Sequence, residues 1–315
     1  MQGKDDTSRR TALECMLWAG AGVLWTVRGG VPRSSLLIGG AEAAEAHASG
    51  SSGGFGFIQI SDSHIGFANR PNADTAGTLS EAIGLVREHR DQAALLLHTG
   101  DVSHLSRPAQ FDTADQIVRG AGLETHYVPG EHDVLDQDGK PFFERFMPGA
   151  RPGGWYSFDQ HGVHFVGLNN VMDLRPGGLG RLGAEQIEWL EDDLRGRPAS
   201  QPIVVFAHIP LWTVARDWGW GTEDAERALS YLRRFGSVTV LNGHIHQIMQ
   251  KVEGNLAFHT AMSTAFPQPA PGTAPNPGPI RDLPAGRLRS LLGITSVREV
   301  RGRERLAVVD TPLGA

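Results

Sequence analysis

Cysteine is almost missing from this chain of 315 residues. Cys15 stands alone, so no intramolecular disulfide can form and no thiolate cluster can hold a metal. Any bound metal must therefore be held by nitrogen and oxygen, a donor set that suits Fe, Mn, Zn or Ni. Lysine is rare beside arginine, and the basic residues are scattered through a chain of net charge −6, which leaves no footprint for nucleic acid. No long apolar run exists either. Ala12–Val27 comes nearest, but Glu14 breaks it and it is too short for a membrane span. Histidine, by contrast, is plentiful at 13 residues, and a 40% hydrophobic content is enough for a full core.

The N-terminus reads as a targeting segment. Ser8-Arg9-Arg10-Thr11 precedes the broken apolar run, and Ala46-His47-Ala48 resembles a small-x-small cleavage site. Paired arginines ahead of a moderately apolar run resemble a twin-arginine export signal, with an amphipathic or anchoring helix as the alternative. The expectation is an export signal over 1–48, a flexible Gly/Ser linker over 49–54, passage through the twin-arginine machinery, and a periplasmic or secreted product.

From Phe55 onward, strand and helix patterns alternate, then give way to hairpins. A third strand is expected at His126–Val128 and a closing hairpin from Val297–Val300 and Leu306–Val309. The stretch 267–284 holds seven prolines and is expected to stay irregular. This order predicts an α/β fold, layered around two sheets in a single domain over 55–315.

Five apolar runs end in metal-ligand residue types. They are Ile58-Gln59-Ile60-Ser61-Asp62-Ser63-His64, Leu95-Leu96-Leu97-His98-Thr99-Gly100-Asp101, Tyr127-Val128-Pro129-Gly130-Glu131-His132-Asp133, Val204-Val205-Phe206-Ala207-His208 and Leu241-Asn242-Gly243-His244-Ile245-His246. In the last, two imidazoles one residue apart can share a site only if the turn curls them toward it, which Gly243 permits.

In order and spacing, these motifs resemble the calcineurin-like metallophosphoesterase superfamily over roughly Phe55 to Thr264. The resemblance implies a four-layer α/β/β/α sandwich of two mixed sheets, with ligands on loops past the strand ends. It implies that Asp62, His64 and His246 hold a first metal, that Asp101 bridges through one or both oxygens, and that His208, His244 and residue 131 hold a second. His132 would act beside the metals, its imidazole oriented by Asp133. The implied reaction is hydrolysis of a small phosphate ester by a metal-bridging hydroxide, with two ions drawn from Fe, Mn or Zn. Monoester and diester substrates stay undecided, and the rival reading is a non-catalytic metal-binding or scaffold protein on the same fold.

Two positions depart from the family pattern. Glu131 stands where Asn is usual, bringing negative charge and no hydrogen-bond donor, unless it points elsewhere. His104 occupies the place of an iron-binding Tyr in the purple acid phosphatase branch. It is either a nitrogen ligand to the first metal or a turn residue behind the ligands. Among the remaining candidates, His98 and His259 read as packing residues, and His126, His161 and His164 as ordinary loop or strand histidines. Trp212, Trp218 and Trp220 either wall a cleft or cap a sheet, Arg216 is a candidate phosphate clamp, and the Pro-rich stretch is a lid or a surface wrap.

Overall fold

The computed structural model describes residues 23–28, 31–36, 55–299 and 306–314, and the chain divides into two units, Met1–Gly53 and Gly54–Ala315. In the first unit β1 (Val23–Arg28) pairs antiparallel with β2 (Val31–Leu36). The rest of the expected export signal and the linker lie outside the described residues. No helix among the described residues is long and apolar enough to cross a membrane.

Alternation along the strands builds the second unit. In β3 (Gly56–Ile60), Ile58 and Ile60 join a core under helices, while Phe57 joins a core between sheets. β4 (Leu95–His98) divides Leu96 from Leu95 and Leu97 in the same way, as β8 (Ile203–Phe206) divides Ile203 and Val205 from Val204 and Phe206. Strands apolar on both faces must be covered on both. One sheet has the order β13-β12-β3-β4-β5, with β5 at Glu124–Tyr127, β12 at Gly293–Arg298 and β13 at Ala307–Pro312. The other runs β10-β11-β9-β8-β7-β6, built from β6 (Tyr156–Gln160), β7 (Val163–Gly167), β8, β9 (Val238–Asn242), β10 (Gln250–Glu253) and β11 (Leu256–Thr260).

Helices α1 (Thr75–Glu88), α2 (Pro108–Arg119) and α3 (Lys140–Phe146) bury Leu79, Val86, Phe111, Val118 and Phe142 against the first sheet. Helices α4 (Ala184–Leu194) and α5 (Ala225–Leu232) bury Ile187, Leu190, Leu229 and Leu232 against the second. Both sheets are mixed, and the layers run α/β/β/α as expected.

Two strand boundaries differ from expectation. The third strand is Glu124–Tyr127, paired parallel to Leu95–His98. The closing hairpin begins at Gly293 because β12 also pairs antiparallel with β3, matching Thr295 to Gln59 and Arg298 to Gly56. A partner so distant in sequence leaves no local pattern. The Pro-rich stretch forms no helix or strand.

Polar ties join the sheets. Gln59 Nε2 donates to Thr99 Oγ1 at 2.9 Å and to the Asn242 carbonyl at 3.2 Å. His259 Nε2 lies 3.0 Å from Asp310 Oδ1, so this histidine clasps β11 to β13. The parallel strands β3, β4, β5, β8 and β9 all lead into the five motif loops at their C-terminal ends, where α/β sheets place ligands.

Candidate metal centre

Past those ends the backbone turns sharply, and the turning residues are themselves the ligand candidates. Asp62, His64, Asp101, His244 and His246 have φ of 54, 41, 52, 69 and 52°. Non-glycine residues adopt this left-handed region at a cost, which surrounding structure must hold in place. The curl of the His-x-His turn thus comes from the histidines rather than from a left-handed Gly243. What Gly243 provides is room: a Cβ there would lie 2.0 Å from Ser61 Oγ and 2.6 Å from Asp62 Oδ2. Gly243→Ala is therefore expected to destabilise the fold by about 1–3 kcal/mol, the usual cost of forced overpacking. Thermal denaturation checks this, and an unchanged Tm would refute the close approach.

Two donor sets converge. Asp62, His64 and His246 form one, and Glu131, His208 and His244 the other, with the ligand atoms of each set within 4.8 Å of one another. In the first, His246 Nε2 is 3.2 Å from Asp62 Oδ1 and 3.2 Å from His64 Nε2. In the second, Glu131 lies 2.9 Å from His208 Nε2 and 3.0 Å from His244 Nδ1. Glu131 does not point elsewhere. Between the sets, Asp101 Oδ2 is 3.3 Å from His64 Nε2 and 3.5 Å from His208 Nε2. Its Oδ1 accepts the His132 backbone N–H at 2.9 Å, while Oδ2 is the oxygen turned toward both donor sets.

The site fits cations. His208 Nδ1 donates to the Thr99 carbonyl at 2.7 Å, and His246 Nδ1 donates to the Phe266 carbonyl at 2.6 Å. Each bond fixes the tautomer and turns an Nε2 lone pair inward, as a ligating imidazole requires. Glu131 Oε2 and His208 Nε2 are buried and meet each other at 2.9 Å. The charge balance agrees. Burial alone would raise the carboxyl of Asp62, but His246 and His208 hold it at about 2. Burial likewise opposes ionisation of Glu131, yet His244 and His208 hold it well below the usual carboxylate range. Burial lowers His208, but Asp101 and Glu131 outweigh it and raise the ring well above its ordinary value. Two buried carboxylates, Asp62 and Asp101, and the partly buried Glu131 call for positive charge.

The surroundings of His132 correct one expectation. Asp133 does not orient the imidazole directly. Its carboxylate accepts the backbone N–H groups of Val102, Ser103 and Gly130 at 3.0, 2.8 and 3.0 Å, pinning the loops after β4 and β5 together. The His132 ring instead has Nδ1 2.7 Å from the His104 carbonyl, to which it donates. Burial lowers this ring, while Asp101 and Glu131 more than compensate and raise it. His104 also stands apart from the first donor set: its Nδ1 lies 3.3 Å from His64 Nδ1, on the side of that ring away from Asp101 and His246.

Sequence reasoning missed the segment after the last motif. Phe266 lays its ring against His64 and His246 at centroid distances of 4.8 and 4.6 Å. Ser263 Oγ donates to the Asp62 carbonyl at 2.8 Å. A fixed carbonyl or a stacked ring carries no motif, so only the fold reveals them. His98 is buried and meets Ser63 Oγ, as a packing residue would. His126 stacks on Phe158 at 3.9 Å, and His161 sits in the β6–β7 turn. His164 is less ordinary than expected, since it is buried between Asp159 and Asp193 at 3.1 and 2.7 Å. Trp212 packs on Phe258, Trp220 is buried with Trp218 at its edge, and Arg216 is exposed on the turn Arg216–Trp218.

The chain is similar to known proteins. A 3′,5′-cyclic-nucleotide phosphodiesterase of Nostoc sp. is 25% identical over 215 residues, covering 66% of this chain and 77% of that protein. A glycerophosphodiester phosphodiesterase of Enterobacter lignolyticus is 27% identical over 206 residues, covering 60% and 70%. A dimetal phosphatase from Danio rerio has a similar fold, with a TM-score of 0.59 at 16% identity, over 81% of this chain and 98% of that one. Residues 55–248 match the family model for calcineurin-like phosphoesterases, a dinuclear-metal family of phosphoester hydrolases, and the chain belongs to that family.

Proposed function

We propose that the protein is a phosphodiesterase acting on a small, singly charged phosphate diester. The placement of Glu131 carries this reading, because its carboxylate sits between His208 and His244. With Asp62 and Asp101 it offsets three of the four charges of two divalent ions, so the centre gains less from a dianionic monoester than an Asn-bearing centre would. The names of the relatives, cyclic-nucleotide and glycerophosphodiester phosphodiesterases, agree with this preference.

Asp62, His64, His246 and one oxygen of Asp101 would hold the first ion, and that oxygen with Glu131, His208 and His244 the second. Nitrogen and oxygen donors suit Fe, Mn or Zn. Two such ions supply Lewis acidity for the phosphoryl oxygens and a lowered water pKa. His132 is half-buried beside Asp101, with Nδ1 tied to a carbonyl, so Nε2 is the atom free to give a proton to the departing alkoxide. Turnover of a bis-aryl phosphate and an aryl phosphate by metal-replete protein tests the preference. A higher kcat/KM for the diester supports it, and a higher value for the monoester refutes it.

Export through the twin-arginine route, to the periplasm or beyond, is part of the same proposal. Arg9 and Arg10 ahead of the apolar run support it. That route carries folded protein, so metal would load before translocation. Replacing both arginines with Lys is expected to strand the precursor in the cell, as fractionation would reveal, while normal processing would exclude the route.

A further inference from the structure

His104 touches two parts of the centre by two different groups. Its ring Nδ1 faces His64 Nδ1 at 3.3 Å, and its backbone carbonyl receives His132 Nδ1–H at 2.7 Å. Its ring also stacks on that of His132, with centroids 4.8 Å apart and planes 16° from parallel. Phe67 stands edge-on behind it at 5.2 Å, and the His104 N–H donates to the Ile65 carbonyl at 3.0 Å. The residue is fixed from several sides.

The tautomers follow from these contacts. His64 turns Nε2 toward Asp101 and His246, so that nitrogen must be free of its proton to bind an ion. The proton then sits on Nδ1, where the group 3.3 Å away is His104 Nδ1. One nitrogen of such a pair must donate and the other accept, so the His104 lone pair is spent on His64 and is not available to an ion. Resting on the dinuclear reading above, we propose that His104 is a positioning residue rather than a ligand. Its Nδ1 accepts the His64 Nδ1–H and fixes that ring, while its carbonyl holds His132 through Nδ1 and leaves Nε2 unengaged by this contact. One residue thereby keeps a fixed relation between the first ion and the proton donor. Partners behind a ligating imidazole commonly matter at this level.

Two substitutions separate the role from its rivals. In His104→Asn, Oδ1 falls close to the position of His Nδ1 and keeps the acceptor. In His104→Phe, the ring and its stacking stay but the acceptor is lost. Co(II) is titrated into the metal-free full chain of the parent and of each variant, and binding is followed by visible absorption. The first-site Kd is expected to rise roughly 10–100-fold in His104→Phe, the usual loss on removing such a partner. His104→Asn is expected to stay near the parent, with an unchanged absorption envelope. If His104 were a ligand, Asn would not restore affinity in this way, and the absorption of the first ion would change in both variants. If it were only a packing residue, the Phe variant would bind Co(II) as the parent does. Either result overturns the proposal. A parent that binds fewer than two ions would instead overturn the dinuclear reading, which is a separate failure.

Discussion

Asp101→Asn is expected to empty both metal sites together and to lower kcat/KM on a bis-aryl phosphate by at least about a hundredfold, more than partners behind the ligands usually cost. The reason is local. Asp101 Oδ1 already accepts the His132 backbone N–H, and only Oδ2 reaches His64 and His208. An Asn here must keep its carbonyl oxygen on that N–H, since turning the amide over would set donor against donor. Its NH2 then occupies the bridging position and offers no lone pair to either ion. Metal analysis of the purified variant beside the parent checks this. Loss of only one ion would show that the bridge is not shared, and retained activity would remove Asp101 from the centre.

Glu131→Asn is expected to raise the ratio of monoester to diester kcat/KM by about tenfold or more at matched metal content. Removing one negative charge makes the centre more positive, and a monoester near neutral pH brings close to one more negative charge than a diester. One unit charge acting on another at about 4–5 Å corresponds to several kcal/mol at an effective dielectric near 20. Tenfold, about 1.4 kcal/mol, is therefore a modest expectation. A parent that loads a trivalent ion such as ferric iron would restore the charge and flatten the difference, so the metal must be identified in both proteins. At equal metal content, an unchanged or lowered ratio would mean that the shape of the cleft, and not this carboxylate, sets the preference.

Much of the centre is legible in the sequence because each donor group follows a strand. A buried parallel strand announces itself by an apolar run, and the loop after it carries ligand residues in plain view, as with Ile58–Ile60 before Asp62 and His64. Geometry within the loops is another matter. That His244 and His246 are left-handed, or that Gly243 yields space to Ser61, depends on the approach of segments some 180 positions apart. The same holds for Asp133, whose three backbone donors come from two different loops. His104 was readable as a nitrogen beside the centre, but which side of His64 it meets is decided by packing against Phe67 and His132. Phe266 carries no signal at all, lying beyond the last motif and just ahead of the proline-rich stretch.

A dinuclear hydrolytic centre makes one simple demand on solution behaviour. Metal-free protein is titrated with Mn(II) while bound metal and turnover of a bis-aryl phosphate are measured in the same samples. Binding should saturate at two ions per chain, and turnover should be absent in metal-free protein and rise as the second ion binds. Saturation at a single ion, or full turnover with none bound, would contradict a centre in which Asp101 joins two ions.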